Sequence, residues 1–399
     1  MEQALSDIKV LDLTWYIAGP YCTKLLADYG AEVIKVEKPG EGDPARRLGP
    51  FLNDEPHPEK SGLFLHLNTN KRGITLNLKS ETGKKIFKEL VKDADILVES
   101  FSPRVMPSLG LDYGTLEKVN PRLVMTSVSN FGQTGPYRDF RGSDLIYQGL
   151  GGAMYGTGTS DREPLKKGAT VTQYQTGVLA AVATMIAFYG AELRGYGDHV
   201  DVSGIRTDLT SIDRSASMLT AYQYTGIVHP RMESGRPLTR CKDGYIGIIV
   251  TPEPRAFQRL ATILGLTPEE VEEWGKPEVL ADPQKRAEFE KKFLEPWLLE
   301  HTKREIVEAA QAVGMMSTPL HTPGDVLSDP HYQERGFWVE IDHPVTGKLT
   351  YPGAPFRLAG DGWQVRRPAP LLGQHNEEVY GKLGYSKGDL AQLRQAGVI

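Results

Sequence analysis

The apolar positions in the first 130 residues alternate between two spacings. Ile8-Lys-Val-Leu-Asp-Leu13 is a short β-prone run. Pro20 to Tyr29 then takes helical spacing around Leu25 and Leu26, with Gly30 placed to stop it. Ala31-Glu-Val-Ile-Lys-Val-Glu37 alternates and ends at Pro39-Gly40, as a strand running into a turn does. Ser80 is a good N-cap for a helix with Ile86, Phe87, Leu90 and Val91 on one face. Asp95 to Glu99 and Leu123 to Val128 predict two further strands. Strands that alternate with helices predict a parallel sheet in a doubly wound α/β domain.

Glycine punctuation from Gly149 to Gly158 precedes a long apolar run, Val178 to Tyr189. At about 12 residues it is short of the ~20 that span a bilayer, so it reads as a buried helix and no membrane association is expected. A second helical pattern follows Asp201-Val-Ser203, and a different region starts near residue 225. It holds a strand at Tyr245 to Val250, a charged helical stretch from Pro283 to Glu300 and a helix from Lys303 to Ala312. Asp342 to Gly347 reads as a turn between strands, and the tail from Pro370 to Ile399 as helical. The expected division is a large domain over 1–200, a linker over 201–224, a small α+β domain over 225–330, and a second linker with a C-terminal return over 331–399.

The 399 residues suffice for two domains with full cores. A net charge of -5 argues against a nucleic-acid partner. Cys22 and Cys241 are too few for a disulfide framework and suit a reducing cytoplasm. The opening Met1 to Asp7 has no secretory pattern. His66, His321, His331, His343 and His375 are scattered without metal-ligand spacing, so no metal is expected.

The stretch Lys167-Gly-Ala-Thr-Val-Thr-Gln-Tyr-Gln-Thr-Gly177 resembles the nucleophile segment of the family III CoA-transferases, the formyl-CoA and carnitine CoA-transferase type. Gly168, Thr176 and Gly177 fit that pattern, but Gln173 stands where the family has its aspartate. A carboxylate attacks a thioester; a carboxamide, with its nitrogen lone pair delocalised, does not. The resemblance extends along essentially the whole chain. It includes Ile8 to Pro20, Gly30 to Asp43, Asn70-Lys71-Arg72, Glu99 to Pro103, Phe131 to Pro136, Val200 to Ser203, Pro352 to Phe356 and Pro370 to Gly373.

The resemblance implies a Rossmann-like large domain and a small domain in a ring-shaped chain, two rings interlocking as a dimer. It places Ile17, Ala18, Lys38, Leu76, Asn77, Leu78, Lys79, Ser100, Phe101 and Ser102 along a groove for coenzyme A, with Arg141 near the active site. The CoA phosphates need cations and backbone N–H groups, and the chain has neither a Gly-x-Gly-x-x-Gly after its first strand nor a Walker motif. Where the family has an arginine before its Leu-Gly pair the chain has Ser108, with Arg104 one turn earlier as a substitute. Asp144 has two readings: the carboxylate nearest a reacting thioester, or a cap for the helix beginning near Leu145. The loop Glu233-Ser-Gly-Arg236-Pro237 corresponds to the family's glycine-rich cover. Trp15, Tyr16, Tyr147 and Tyr174 either face an aryl substituent or pack in the core.

These residues predict a non-nucleophilic subunit of a heteromeric CoA-transferase. Its expected partner is a homologous chain bearing the aspartate, as in the succinyl-CoA:benzylsuccinate CoA-transferases. Its expected substrates are a dicarboxylic acyl-CoA and a carboxylic acid. The alternatives are an acyl-CoA racemase or lyase on the same fold, and a non-catalytic CoA-binding protein. A racemase needs an acid/base pair, and Ser143 and Gln173 occupy the places where it would stand.

Overall fold

A computed structural model describes residues 3–211, 213–228, 231, 238–248, 253–360 and 362–399, with 211 and 213–216 described by their backbone alone. It divides into two compact units, Met1–Arg231 with Phe337–Ile399, and Met232–Gly336. The larger unit is built on a six-stranded sheet: β1 (Lys9–Leu13), β2 (Glu32–Glu37), β3 (Arg72–Thr75), β4 (Ile96–Glu99), β5 (Val124–Ser129) and β6 (Asp198–Ser203). The strand order is β3-β2-β1-β4-β5-β6, and every pairing is parallel.

The register explains the apolar runs. Val10 lies between Val33 and Ile96, and Leu11 between Ile34 and Leu97, so both faces of the sheet are apolar. One face buries Leu11, Leu13 and Leu97 against Ile86, Phe87, Leu90 and Val91 of α2 (Glu81–Lys92). The other buries Val10, Ile96 and Val98 against Leu26 and Ala27 of α1 (Ala18–Asp28), together with Ala180 and Ala181. Full burial of Ile86 and Phe87 contributes roughly 1.5–3 kcal/mol each. Ser80 accepts from the Gly83 N–H and caps α2 as the sequence suggests.

β3 is invisible as a sequence pattern. It has four residues, begins with Arg72-Gly73, and lies at the sheet edge. The C-terminal segment covers that edge. Gly73 and Thr75 donate their N–H groups to His375 Nδ1 (3.0 Å) and Asn376 Oδ1 (2.9 Å), and the Tyr380 hydroxyl donates to the Thr75 carbonyl.

The expected buried helix is corrected in length and in environment. Among the helices of the larger unit are α1, α2, α3 (Asp144–Leu150), α4 (Val171–Arg194), which is this helix, and α5 (Gly204–Ser211). At 24 residues α4 is long and apolar enough to cross a membrane by length and composition. Thr172, Thr176, Gly177, Ala180, Ala181, Thr184 and Ala191 are buried, whereas Val178, Val182, Ile186, Tyr189 and Leu193 are exposed. Polar residues in the first turns, Thr172, Gln173, Gln175 and Thr176, masked the extent of the helix, and the large apolar residues Val178, Val182, Ile186, Tyr189 and Leu193 sit on its exposed face.

The smaller unit pairs Thr239–Cys241, Gly244–Ile248 and Ser317–Pro319 in an antiparallel sheet. Its core holds Phe257, Trp274, Phe289, Leu298 and Ile306. The charged stretch is two α-helices, Pro283–Phe289 and Glu295–Glu300, around a π-helical turn. The helix Lys303–Ala312 carries a capping box formed by Thr302 and Glu305. Residues 233–237, the expected cover loop, lie outside the described residues.

Candidate functional site

In an open parallel sheet, ligands bind beyond the carboxyl ends of the strands at the point where the strand order reverses. Here that point lies between β1 and β4. The segments leaving those strands, Trp15–Ile17 and Ser100–Ser102, border a cavity of about 1250 Å³. Every residue the resemblance placed along the CoA groove lines it: Ile17, Ala18, Lys38, Leu76, Asn77, Leu78, Lys79, Ser100, Phe101, Ser102 and Arg141. Gln173 lines it too. Leu13, Leu48, Asn130, Arg138, Asp139, Phe140 and Thr170 also line it, and pattern reading missed them. The one available signal was the mixed-charge run Arg138-Asp-Phe-Arg141 after a glycine-rich turn.

The segment after β1 is held from below by buried charge. Asp12 accepts from the Thr14 N–H (2.8 Å) and hydroxyl, from the Thr23 hydroxyl and from Lys71 Nζ (2.9 Å). Lys71 also donates to the Pro20 carbonyl and Asn68 Oδ1, so all three of its protons are used. Lys35 donates to the Thr14 carbonyl and pairs with Asp43 at 2.9 Å, both side chains being fully buried. Burial disfavours charge on Asp12, but Lys35 and Lys71 outweigh it and hold the carboxyl well below its usual range. Burial brings the Lys71 ammonium down to about 8 against the attraction of Asp12. For Lys35 burial again opposes charge, and Asp12, Asp43 and Glu37 outweigh it.

Above this web the backbone takes an uncommon turn. Tyr16 sits at φ 65, a left-handed conformation that costs a bulky residue on the order of 1–3 kcal/mol. Its N–H donates to Asp43 Oδ1 (3.1 Å), and the neighbouring Trp15 N–H donates to Ser100 Oγ (2.8 Å). Trp15 meets Phe101 edge-on at 5.1 Å. The β4 side has its own buried anchor. Glu99 accepts from the Phe101 N–H (2.8 Å), and burial pushes its carboxyl up to about 7.

Gln173 reaches the cavity through a close helix contact. A Cβ added at Gly177 would meet the Ala18 carbonyl at 2.6 Å, so glycine lets α4 press against the start of α1. One turn earlier, Gln173 occupies the first turn of α4. Asp144 is not the local cap of its own helix. It does not line the cavity and does not precede its own helix, which it begins. Its buried carboxylate instead accepts from the Gln173 N–H (3.1 Å), serving the N-terminus of α4. Gln148 donates to its other oxygen, and Lys166 lies 3.6 Å away.

Cations and aromatics line the rim. Lys38 pairs with Glu41 at 2.5 Å. Arg104 and Ser108 both line the cavity, but the Arg104 guanidinium is engaged bidentately by Asp139 (2.8 and 2.5 Å), which Arg138 also reaches. Trp15, Tyr16 and Tyr147 line the cavity; Tyr174 packs edge-on against Tyr21 instead. Among the described residues two carboxylates line the cavity, Glu37 and Asp139. Neither is free, because the oxygens of Glu37 hold Arg46 and the Asp43 N–H. Among the described residues no three His, Cys, Asp or Glu side chains converge as a metal cage.

Comparison with known proteins places this geometry. Over essentially its whole length (100%) the chain is 31% identical to the succinyl-CoA:(R)-benzylsuccinate CoA-transferase subunit BbsE of Thauera aromatica, covering 99% of that protein. It is 32% identical to the succinyl-CoA–D-citramalate CoA-transferase of Chloroflexus aurantiacus, over 99% of this chain and 98% of that one. A crystal structure of a CaiB/BaiF family protein from Brucella suis superposes with a TM-score of 0.82 at 29% identity, covering 96% of this chain and 100% of that one. The family model of CoA-transferase family III matches residues 5–376, and the chain belongs to that family.

Proposed function

We propose that this chain is the non-nucleophilic subunit of a heteromeric family III CoA-transferase, supplying a CoA groove to a site whose aspartate comes from a homologous partner. The observation that carries this reading is the chemistry of the cavity wall. Gln173 stands at the nucleophile's place, and the two carboxylates that line the cavity are held by arginines. A relative that is itself named as a subunit supports the heteromer.

In this reading Lys38, Lys79 and the backbone of Ile17-Ala18 hold the CoA moiety, and Leu76 and Leu78 pack along it. The partner's aspartate attacks the thioester carbonyl, expelling CoA thiolate and leaving a mixed anhydride. The thiolate then attacks the aspartyl carbonyl, releasing the donor acid and leaving an aspartyl-CoA thioester. Attack by the acceptor carboxylate and return of the thiolate complete the exchange. The donor is a dicarboxylic acyl-CoA such as succinyl-CoA, and the acceptor a carboxylic acid of the benzylsuccinate type.

The exposed apolar stripe of α4 supports a second chain, since a contiguous apolar face left in water marks an interaction surface. An interlocked pair of rings would use such a face. The two buried, free thiols suit a reducing cytoplasm. The racemase reading has less behind it: Ser143 and Gln173 both line the cavity, and neither titrates near neutral pH.

The test is CoA transfer from succinyl-CoA to a panel of carboxylic acids, by this chain alone and co-expressed with a homologous aspartate-bearing chain. Activity in the pair only, lost when the partner's aspartate is replaced, supports the reading. Turnover by this chain alone refutes it.

A further inference from the structure

Four backbone groups between β1 and α1 are each held by a side chain. The Thr14 N–H donates to Asp12 and the Thr14 carbonyl accepts from Lys35. The Trp15 N–H donates to Ser100 and the Tyr16 N–H to Asp43. The segment so held includes a left-handed tyrosine at φ 65. Tyr16 lines the cavity with 47% of its surface exposed, so little of its strain is offset by burial. Strain of this kind persists only where the surroundings over-determine it, and it gathers at ligand-binding sites.

Asp43 joins this segment to the turn after β2. One of its oxygens accepts from both the Tyr16 and the Ala45 N–H, the other pairs with Lys35, and its own N–H donates to Glu37. Lys38, on the same turn, lines the same cavity. A fully buried ion pair is a poor source of stability compared with an apolar pair of the same volume. Two such pairs side by side, Lys35–Asp43 and Lys71–Asp12, therefore call for a conformational role.

We propose that Asp43, acting through the Tyr16 N–H and Lys35, is a positioning residue that fixes the Trp15–Ile17 segment as one wall of the CoA groove. This rests on reading the cavity as a CoA site. Asp43 touches no reacting atom in this role; it sets where the Ile17 and Ala18 backbone stands before CoA arrives. A preset wall raises affinity by removing the ordering that binding would otherwise require.

Two variants separate positioning from folding. Asp43→Asn keeps an acceptor for Tyr16 but removes the carboxylate paired with Lys35, leaving Asp12 and Glu37 as the anions acting on that buried ammonium. Lys35→Met with Asp43→Asn is charge-balanced, yet leaves the Thr14 carbonyl without its donor. CoA is titrated calorimetrically into the full chain, with thermal melts and amide exchange of the 13–18 peptide alongside. The expected result is at least tenfold weaker CoA binding in both variants and faster exchange at Tyr16, with the double variant regaining most of the wild-type melting temperature. Recovery of affinity together with stability in the double variant overturns the proposal, as does wild-type affinity in Asp43→Asn. Should Asp43→Asn prove too unstable to titrate, the double variant decides. If the wild-type chain binds no CoA while its 13–18 amides are protected, the CoA reading fails and this inference with it. Loss of affinity in the variants alone leaves the CoA reading standing.

Discussion

Glu99→Gln removes one ionisable group and keeps the shape of the β4 terminus. Glu99 is 2% exposed, and burial pushes its carboxyl up to about 7 from an ordinary 4.5. Hydrogen bonds from Ser127 and the Phe101 N–H favour the anion without offsetting burial, and Asp201 adds repulsion. The sign follows from proton binding. Between pH 4.5 and about 7 the folded chain keeps a proton that the unfolded chain releases. The stability this confers is therefore full below 4.5 and lost as pH rises through 7. At roughly 1.4 kcal/mol per unit, the loss above pH 7 is about 3 kcal/mol. Glutamine is neutral throughout and still accepts from Phe101. The variant should therefore be more stable than wild type by about 3 kcal/mol at pH 8, with most of that gap gone at pH 5. Urea unfolding at both pH values, read by amide exchange in β4 and β5, reports the larger unit alone. A gap that is the same at both pH values, or a variant less stable at both, would mean that Glu99 is ionised in the fold and acts as a charged acceptor.

Three further outcomes are expected. Gln173→Asp places a carboxylate in the first turn of α4, where the helix's positive end favours an anion; with acyl-CoA it should form a covalent CoA thioester that wild type does not, detected by intact mass. Gly177→Ala drives a Cβ to 2.6 Å from the Ala18 carbonyl; about 1–3 kcal/mol of stability should be lost, with weaker CoA binding in the same preparation, both read by melting with and without CoA. Ile186→Glu charges the middle of the exposed α4 stripe and should shift the chain toward monomer in light scattering without changing its circular dichroism; an unchanged mass would remove α4 from the interface.

The strands were legible because burial on both faces leaves apolar runs, as in Asp95 to Glu99 and Leu123 to Val128. The order of those strands was not, since β1 pairs with β4 across more than eighty residues of chain, and neither was β3, whose edge is completed by residues from the far C-terminus. The groove became readable through resemblance; Lys38 and Lys79 taken alone look like solvated lysines. The support beneath it left no trace in the pattern. Lys35 occupies a polar place in an alternating strand, which suggests exposure, and is fully buried beside Asp43. Asp144 was misread for a related reason: a carboxylate before an apolar run suggests a local cap, but it serves a helix 29 residues further on.

The central claim is that this chain lends a groove and not a nucleophile. The direct measurement is to assemble the heteromer, add succinyl-CoA without acceptor, quench, and locate the covalent CoA adduct by intact-protein mass. The account predicts the adduct on the aspartate-bearing partner and none on this chain. An adduct on this chain, at Asp139, Asp144 or any other carboxylate, would contradict it.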